Sequence, residues 1–175
     1  MRVHQEDFCQ ALGIPSANKY QNEGGPSLKQ CFDLLRVESS IPVIDLEKMI
    51  SAAIFNYLIG NCDAHGKNFS LLYLDQFQLS PLYDLICTVY YSDLDTKMAM
   101  KLGGEYESAR IYPRHFERLA DENGLAKPGV RRRVQALAAT ILEKLPEVTP
   151  HNAAGTGVAE IVRGRCNRTI EMFST

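Results

Sequence analysis

Apolar positions recur along most of this chain at helical spacing, interrupted by one polar stretch and a few short alternating runs. Glu6–Pro15 reads as one short helix, with Phe8, Ala11 and Leu12 on one face, Gly13 as a left-handed cap and Pro15 barring continuation. Residues 18–26, rich in Asn, Gln and Gly, read as a loop. Ser27-Leu28-Lys29-Gln30 has the form of a capping box, and Leu28, Cys31, Phe32 and Leu35 follow on one stripe. Pro42 and Asp45 introduce the longest apolar segment. Its Leu46, Met49, Ile50, Ala53, Tyr57 and Leu58 keep helical spacing up to Gly60, which predicts the central core helix.

After Gly60 the texture changes. Asn61-Cys62-Asp63-Ala64-His65-Gly66-Lys67-Asn68 is almost wholly polar or small. Phe69–Leu74 reads as a strand, Asp75-Gln76 as a hairpin turn, and Phe77-Gln78-Leu79 as the return strand ended by Ser80-Pro81-Leu82. Met98–Leu102, closed by Gly103-Gly104, reads as a further short strand. Three helices are predicted beyond it: Pro113 to Asn123 with Gly124 as cap, Pro128 to Leu145 stopped by Pro146, and a last one carrying Val158, Ile161, Val162, Ile170 and Phe173. The pattern predicts a mainly α (α+β) fold, a helical bundle carrying a small β-hairpin with a polar loop pinned between them.

Composition narrows the class. The 175 residues, 45% hydrophobic and 23% charged, carry 19 Lys+Arg against 21 Asp+Glu, a net charge of −2. That profile predicts one globular domain over residues 1–175, burying roughly 70% of its unfolded surface. Near-neutrality supplies no whole-molecule attraction to nucleic acid or anionic membrane. No apolar run reaches the ~20 residues that span a bilayer, and the charged first residues lack a signal-peptide core, which predicts a cytoplasmic location with no membrane partner. Five cysteines (Cys9, Cys31, Cys62, Cys87, Cys166), with no Cys-x-x-Cys pair, argue for reduced, buried thiols and against a disulfide scaffold or zinc ribbon.

Asp63, Asn68 and Asp84 stand out by spacing, the first two five residues apart on the polar loop and the third just past the hairpin. Phosphoryl transfer needs a carboxylate to take or orient the acceptor's proton, and an amide oxygen plus a second carboxylate to hold the magnesium ions that bridge the phosphates. Loop, strand, turn, strand, Asp is the order in which protein kinases supply those groups. Lys67 adds a charge that can face a phosphate, and His65 can orient the loop. The spacing alone is equally consistent with an interhelical loop whose Asp and Asn satisfy backbone groups as caps and turns.

The fourteen residues Ile59-Gly60-Asn61-Cys62-Asp63-Ala64-His65-Gly66-Lys67-Asn68-Phe69-Ser70-Leu71-Leu72 resemble the catalytic loop of the HipA family of bacterial serine/threonine kinase toxins. Leu82-Tyr83-Asp84 resembles that family's metal-binding segment. His4–Gln10 with Gly24-Gly25-Pro26, and Ala99–Gly104, are similar to the stretches before and after. The resemblance implies a distorted protein-kinase fold, with this chain as its C-terminal catalytic lobe, and transfer of the ATP γ-phosphate to a protein hydroxyl. It implies Asp63 as catalytic base and Asn68 and Asp84 as Mg2+ ligands. His65, Gly66, Lys67, Asn68, Tyr83 and Asp84 would line the phosphate end of the nucleotide site. It further implies a small HipB-like antitoxin partner, DNA contact only through that partner, and a protein substrate such as a translation enzyme.

The same resemblance places the phosphate-covering loop, the phosphate-pairing lysine and most of the adenine pocket in an N-terminal lobe outside this chain. The chain has no Gly-x-x-x-x-Gly-Lys-Ser/Thr run, and Gly155-Thr156-Gly157 is no phosphate loop. Alone, the lobe is expected to be catalytically silent, for lack of the donors that neutralise the phosphates. A catalytically dead module that binds an antitoxin or other protein is the alternative, and a small-molecule phosphotransferase, with a similar Asp, Asn and Asp set, is a third reading. Cys62 and His65 lack the two further ligands a zinc site needs. Arg131-Arg132-Arg133 reads as a solvated helix face, Met98 and Met100 as core, and Tyr90-Tyr91 with Asp93 and Asp95 as a loop beside the site.

Overall fold

The computed structural model describes residues 3–150 and 152–174. The chain opens on strand β1 (His4–Asp7), and helix α1 (Phe8–Ala11) follows without a break. The expected helix is therefore shorter than its sequence pattern, because Glu6 and Asp7 lie extended. Asp7 is the N-cap: its carboxylate accepts from the Gln10 amide at 2.9 Å, and the Gln10 side chain accepts from the Asp7 amide at 3.0 Å. What lies before the cap pairs antiparallel with β2 (Ser70–Tyr73), His4 opposite Tyr73 and Asp7 opposite Ser70. Strand β3 (Phe77–Leu79) flanks β2 on the other side, Leu71 opposite Leu79. The expected hairpin is thus two strands of a three-stranded sheet, order β1-β2-β3.

Helix α2 (Leu28–Glu38) begins at the Ser27/Gln30 capping box and buries Leu28, Cys31, Phe32 and Leu35. Helix α3 (Pro42–Ile59) runs through the centre of the core, with Met49, Ile50, Ile54 and Leu58 at most 2% exposed. Burying each such side chain contributes about 1.5–3 kcal/mol. Strand β4 (Lys97–Leu102) pairs with β5 (Glu105–Glu107), a partner that its three residues are too short to announce. Between them Gly103 and Gly104 adopt φ of +55° and +89°. A Cβ on Gly103 would lie 1.9 Å from the His115 carbonyl oxygen, so the turn packs directly on α4 (Pro113–Glu122).

Helices α5 (Lys127–Val148) and α6 (Ala153–Ser174) complete the bundle. Pro146 does not stop α5 as the sequence predicts; the helix runs on to Val148. Pro146 sits in the last turn, where its missing amide forfeits one hydrogen bond, and beyond it the Thr149 amide still donates to the Leu145 carbonyl at 3.1 Å. The triple arginine is likewise more than a solvated face. Arg131 pairs with Glu117 at 2.7 Å, and Arg133 binds Glu47 and the Ser51 hydroxyl, so two of the three tie α5 to α4 and α3 while Arg132 stays exposed. Met98 and Met100 are buried, as expected of core residues, and all five cysteines are free and buried. Among the described residues no helix is long and apolar enough to cross a membrane.

One buried charge sets where the hairpin ends. Asp45, 0% exposed, accepts from the Ser39 hydroxyl and the Leu79 amide, both at 2.7 Å, and pairs with Lys48 at 3.2 Å. It fastens the end of β3 to the first turn of α3, and that fixes the point from which the chain departs toward Tyr83-Asp84. Asp45→Ala leaves the Leu79 amide without its partner and is expected to lower the unfolding free energy by about 3 kcal/mol, measured by urea denaturation. A loss under about 1 kcal/mol would show that the fastening is dispensable. Gly103→Ala combines a left-handed φ with collision against backbone and should cost about 2 kcal/mol or more, whereas Gly13→Ala, at φ +67° in open space, should cost only about 1 kcal/mol; thermal unfolding of the two variants compares them.

Candidate active site

The candidate site is the chain that leaves α3. Gly60 ends the helix in the left-handed region, φ +77°, and a Cβ there would meet Val89 Cγ2 at 2.5 Å. From α6, the Arg165 guanidinium donates twice to the Tyr57 carbonyl, at 3.0 and 2.5 Å, and once to the Ser108 hydroxyl at 2.8 Å, satisfying a carbonyl of the last helical turn. The loop that follows is clamped on several sides. Asn61 N–H donates to the Asn56 carbonyl at 2.8 Å, Cys62 N–H to Thr88 Oγ1 at 2.8 Å, and Ala99 N–H to the Cys62 carbonyl at 2.7 Å.

Two acids that lie 21 residues apart are held by one buried side chain between them. The Asn61 carboxamide, on a residue 2% exposed, donates to Asn56 Oδ1 and to the Asp84 carbonyl, both at 3.0 Å, and accepts from the Asp63 amide at 3.2 Å. Asn68 makes the second bridge. Its Oδ1 accepts from the His65 amide at 2.9 Å, and its Nδ2 donates to Asp84 Oδ2 at 2.5 Å. Asp84 has φ +57°, and no other described non-glycine residue has a positive φ. That unfavourable conformation turns its carboxylate back toward the loop, a local strain of the kind found at functional sites.

The remaining candidates converge on the same place. Residues Gly66–Asn68 form a single 3-10 turn closed by the Asn68 amide on the His65 carbonyl at 2.9 Å. A Cβ on Gly66 would sit 2.3 Å from the Pro26 ring and 3.0 Å from Cys9 Sγ, so only glycine lets the turn seat against the N-terminal segment. The Tyr83 hydroxyl donates to the Lys67 carbonyl at 2.7 Å and meets Ser70 Oγ at 2.6 Å; burial pushes its ionisation up. Lys67 is thereby tied by its backbone, with a half-buried side chain.

Asp63 is half-exposed, with 44% of its side chain accessible. Its Oδ1 accepts from the Tyr20 hydroxyl at 2.7 Å, and its Oδ2 lies 4.0 Å from His65 Nε2. His65 is buried, and desolvation pushes its pKa down, against an upward pull from Asp63 and with a further push from Lys19; the imidazole is neutral at neutral pH. Its Nδ1 looks toward the Asn68 amide, which is already given to the His65 carbonyl, and makes no ordinary hydrogen bond. Beyond Asp63 a cleft of about 510 Å³ opens, walled in part by Tyr20, Cys62, Asp95, Met98 and Tyr106.

Tyr20, Asn61 and Thr88 belong to this site and escaped sequence reasoning. Asn61 stood in the polar run, but nothing in its spacing marks it as the bridge; Tyr20 and Thr88 are 43 and 25 residues from Asp63, with no periodic signal. Among the described residues no three His, Cys, Asp or Glu side chains gather as a metal cluster. Cys62 Sγ faces the Thr96 carbonyl at 3.2 Å while His65 Nε2 faces Asp63, so those two do not form a zinc pair.

Comparison with known proteins places this geometry. The family model for the HipA-like C-terminal domain matches residues 1–146. A putative kinase of Sinorhizobium fredii, Y4mE, is 46% identical over 172 residues, and the serine/threonine-protein kinase toxin HipA of Shewanella oneidensis is 29% identical over 173. These alignments take in 94% and 88% of this chain but only 41% and 40% of those proteins, so the chain spans about two fifths of their length. Among solved structures, a Shewanella oneidensis complex of HipA, HipB and operator DNA superposes with a TM-score of 0.88 at 26% identity, covering 99% of this chain and 45% of the matched one. With a catalytic-type loop, a trailing Tyr-Asp and this superposition in agreement, the chain belongs to the HipA family as a HipA-like C-terminal domain.

Proposed function

We propose that this domain is the catalytic half of an ATP-dependent serine/threonine protein kinase, with Asp63 as the base. The observation that supports it is the convergence of Asp63, Asn68 and Asp84 through the Asn61 and Asn68 carboxamides, with Asp63 itself lining an open cleft. In this reading the acceptor's hydroxyl oxygen bonds to the γ-phosphorus and its proton passes to Asp63. The bond to the β,γ-bridging oxygen breaks, and ADP leaves with the electron pair. The neutral His65 beside Asp63 adds no positive charge to compete for that carboxylate.

The donor set fits magnesium. Mg2+ takes hard oxygen ligands, and nucleotide sites hold it by one or two protein groups plus phosphates, so a three-carboxylate cage is not required. Asp84 carries an exposed carboxylate, and Asn68 Oδ1, which accepts one hydrogen bond, keeps a second lone pair. Bound there, the ion would neutralise charge on the transferring phosphates. His65, Gly66, Lys67 and Tyr83 would wall the phosphate end of the ATP site. The partner in this reading is a HipB-like antitoxin, with DNA approached only through it, because the superposing structure is a HipA–HipB–operator complex.

Because this chain covers about two fifths of its relatives, the test uses the chain fused to the preceding portion of the rhizobial kinase that is 46% identical to it. In that fusion Asp63→Asn is expected to lower γ-phosphate transfer by about 10²- to 10⁴-fold with ATP binding intact, measured with radiolabelled ATP and isothermal titration. Turnover that survives the substitution would sink the assignment of Asp63 as base, and a parent fusion with no turnover at all would leave the binding-module reading. Asp84→Asn is expected to weaken the magnesium-dependent part of ATP binding by about tenfold or more, and to leave the magnesium-independent part unchanged.

A further inference from the structure

Tyr20 reaches the site from the loop between α1 and α2. Its carbonyl accepts from the amides of Glu23 at 3.0 Å and Gly25 at 2.8 Å, which fixes its backbone within a compact turn. Gly25 makes that turn possible, since a Cβ there would lie 2.6 Å from the Asn18 carbonyl oxygen. The next residue, Gln21, is pinned to β4 by the Lys101 amide at 2.8 Å. The ring stands edge-on to His65 at 5.6 Å between centroids, and the Lys19 ammonium lies 4.8 Å above it. A tyrosine held this firmly delivers its hydroxyl to one spot, Asp63 Oδ1, at 2.7 Å.

Asp63 is otherwise weakly constrained. Its backbone is fixed through Asn61, but its side chain is 44% exposed and its other oxygen has only His65 Nε2, at 4.0 Å. A half-exposed carboxylate on free χ torsions samples several rotamers, and a base that must meet a hydroxyl within about 3 Å loses rate for each unproductive one. The Tyr20 hydroxyl has one proton and gives it to Oδ1. Burial, followed by that hydrogen bond, raises the phenol's pKa, so the group stays a donor at neutral pH. Oδ1 is thereby occupied, and Oδ2, 4.0 Å from His65 Nε2, is left without a close hydrogen-bond partner on a side chain 44% exposed.

We propose that Tyr20 is the positioning residue for the Asp63 base: its hydroxyl locks the carboxylate rotamer and reserves Oδ2 for the acceptor's proton. The proposal rests on the kinase reading above. Tyr20 touches the base rather than the reacting atoms, so it acts through Asp63 alone. Tyr20→Phe is the decisive variant, because it removes one hydroxyl while keeping the ring against His65 and Lys19.

In the same kinase fusion, Tyr20→Phe is expected to lower kcat by about 10- to 100-fold with KM for ATP unchanged. Placed in the Asp63→Asn background it should lower the residual rate no further, because the group it positions is already gone. An unchanged kcat, a rise in KM alone, or a full second loss in the Asp63→Asn background would each overturn the positioning role. If Asp63→Asn itself leaves transfer intact, Asp63 is not the base and the role assigned to Tyr20 fails with it; if the parent fusion transfers no phosphate, the kinase reading fails first. A kcat loss in Tyr20→Phe with Asp63 dependence preserved supports both. Thermal unfolding guards against a folding artefact, since a variant melting with the parent cannot owe its lost turnover to unfolding.

Discussion

The site depends on a few buried polar side chains that are answered by the chain around them. Asn56, Asn61 and Thr88 are each less than 5% exposed, in the midst of an otherwise apolar core. Burying a carboxamide without partners costs several kcal/mol, so such a cluster persists only if each donor and acceptor is met. Here they are met by the chain that must be held: Asn61 takes the Asp63 amide and gives to the Asp84 carbonyl, while Thr88 Oγ1 takes the Cys62 amide and gives to the Gly60 carbonyl at 3.1 Å. The polar loop is therefore held by hydrogen bonds on both sides of Cys62. The residues of two carboxylates are held by one bridge, each carboxylate with one oxygen outside these hydrogen bonds.

Around that cluster the fold supplies anchors at matched positions. Arg165 closes the end of α3 just before the loop, and Asp45 fixes the end of β3 just before Tyr83-Asp84. Each is a single charged group that bonds the backbone directly, Arg165 at the Tyr57 carbonyl and Asp45 at the Leu79 amide, alongside side-chain partners. Between the two anchors the strain of Asp84 at φ +57° is sustainable, because the Asn61 and Asn68 contacts over-determine its position. The rigidity is uneven. Asp63 stands half in solvent, and only Tyr20, arriving from outside the loop and hairpin, restrains its carboxylate.

Much of this could be read along the chain, for definite reasons. The helices from Leu28 to Ile59 and from Pro113 onward announce themselves because one apolar face at helical spacing must be buried, and their caps at Ser27, Gly60 and Gly124 mark boundaries by local chemistry. The loop with Asp63, His65 and Asn68, and the Tyr83-Asp84 pair after a hairpin, are likewise a local pattern. Where the reading failed, a partner distant in sequence had overridden local preference. Glu6 has helical neighbours but pairs with Leu71 as strand; Pro146 is a helix breaker kept inside the last turn; Arg131 and Arg133 look solvated until α4 and α3 present Glu117 and Glu47.

The amino-acid order by itself determined which residues are chemically capable, a carboxylate, a carboxamide and a second carboxylate at kinase-like spacing, and the amphipathic helices that bury the core. These follow from side-chain chemistry and from periodicities of a few residues, both of which are local. Only the tertiary structure decided that Asn61 would bridge the two acids, that Asp45 would hold the hairpin, and that Tyr20 would address Asp63 across 43 residues. A hydrogen bond is made at about 3 Å, and no spacing along a flexible polymer specifies which distant groups will meet at that range until the core has packed.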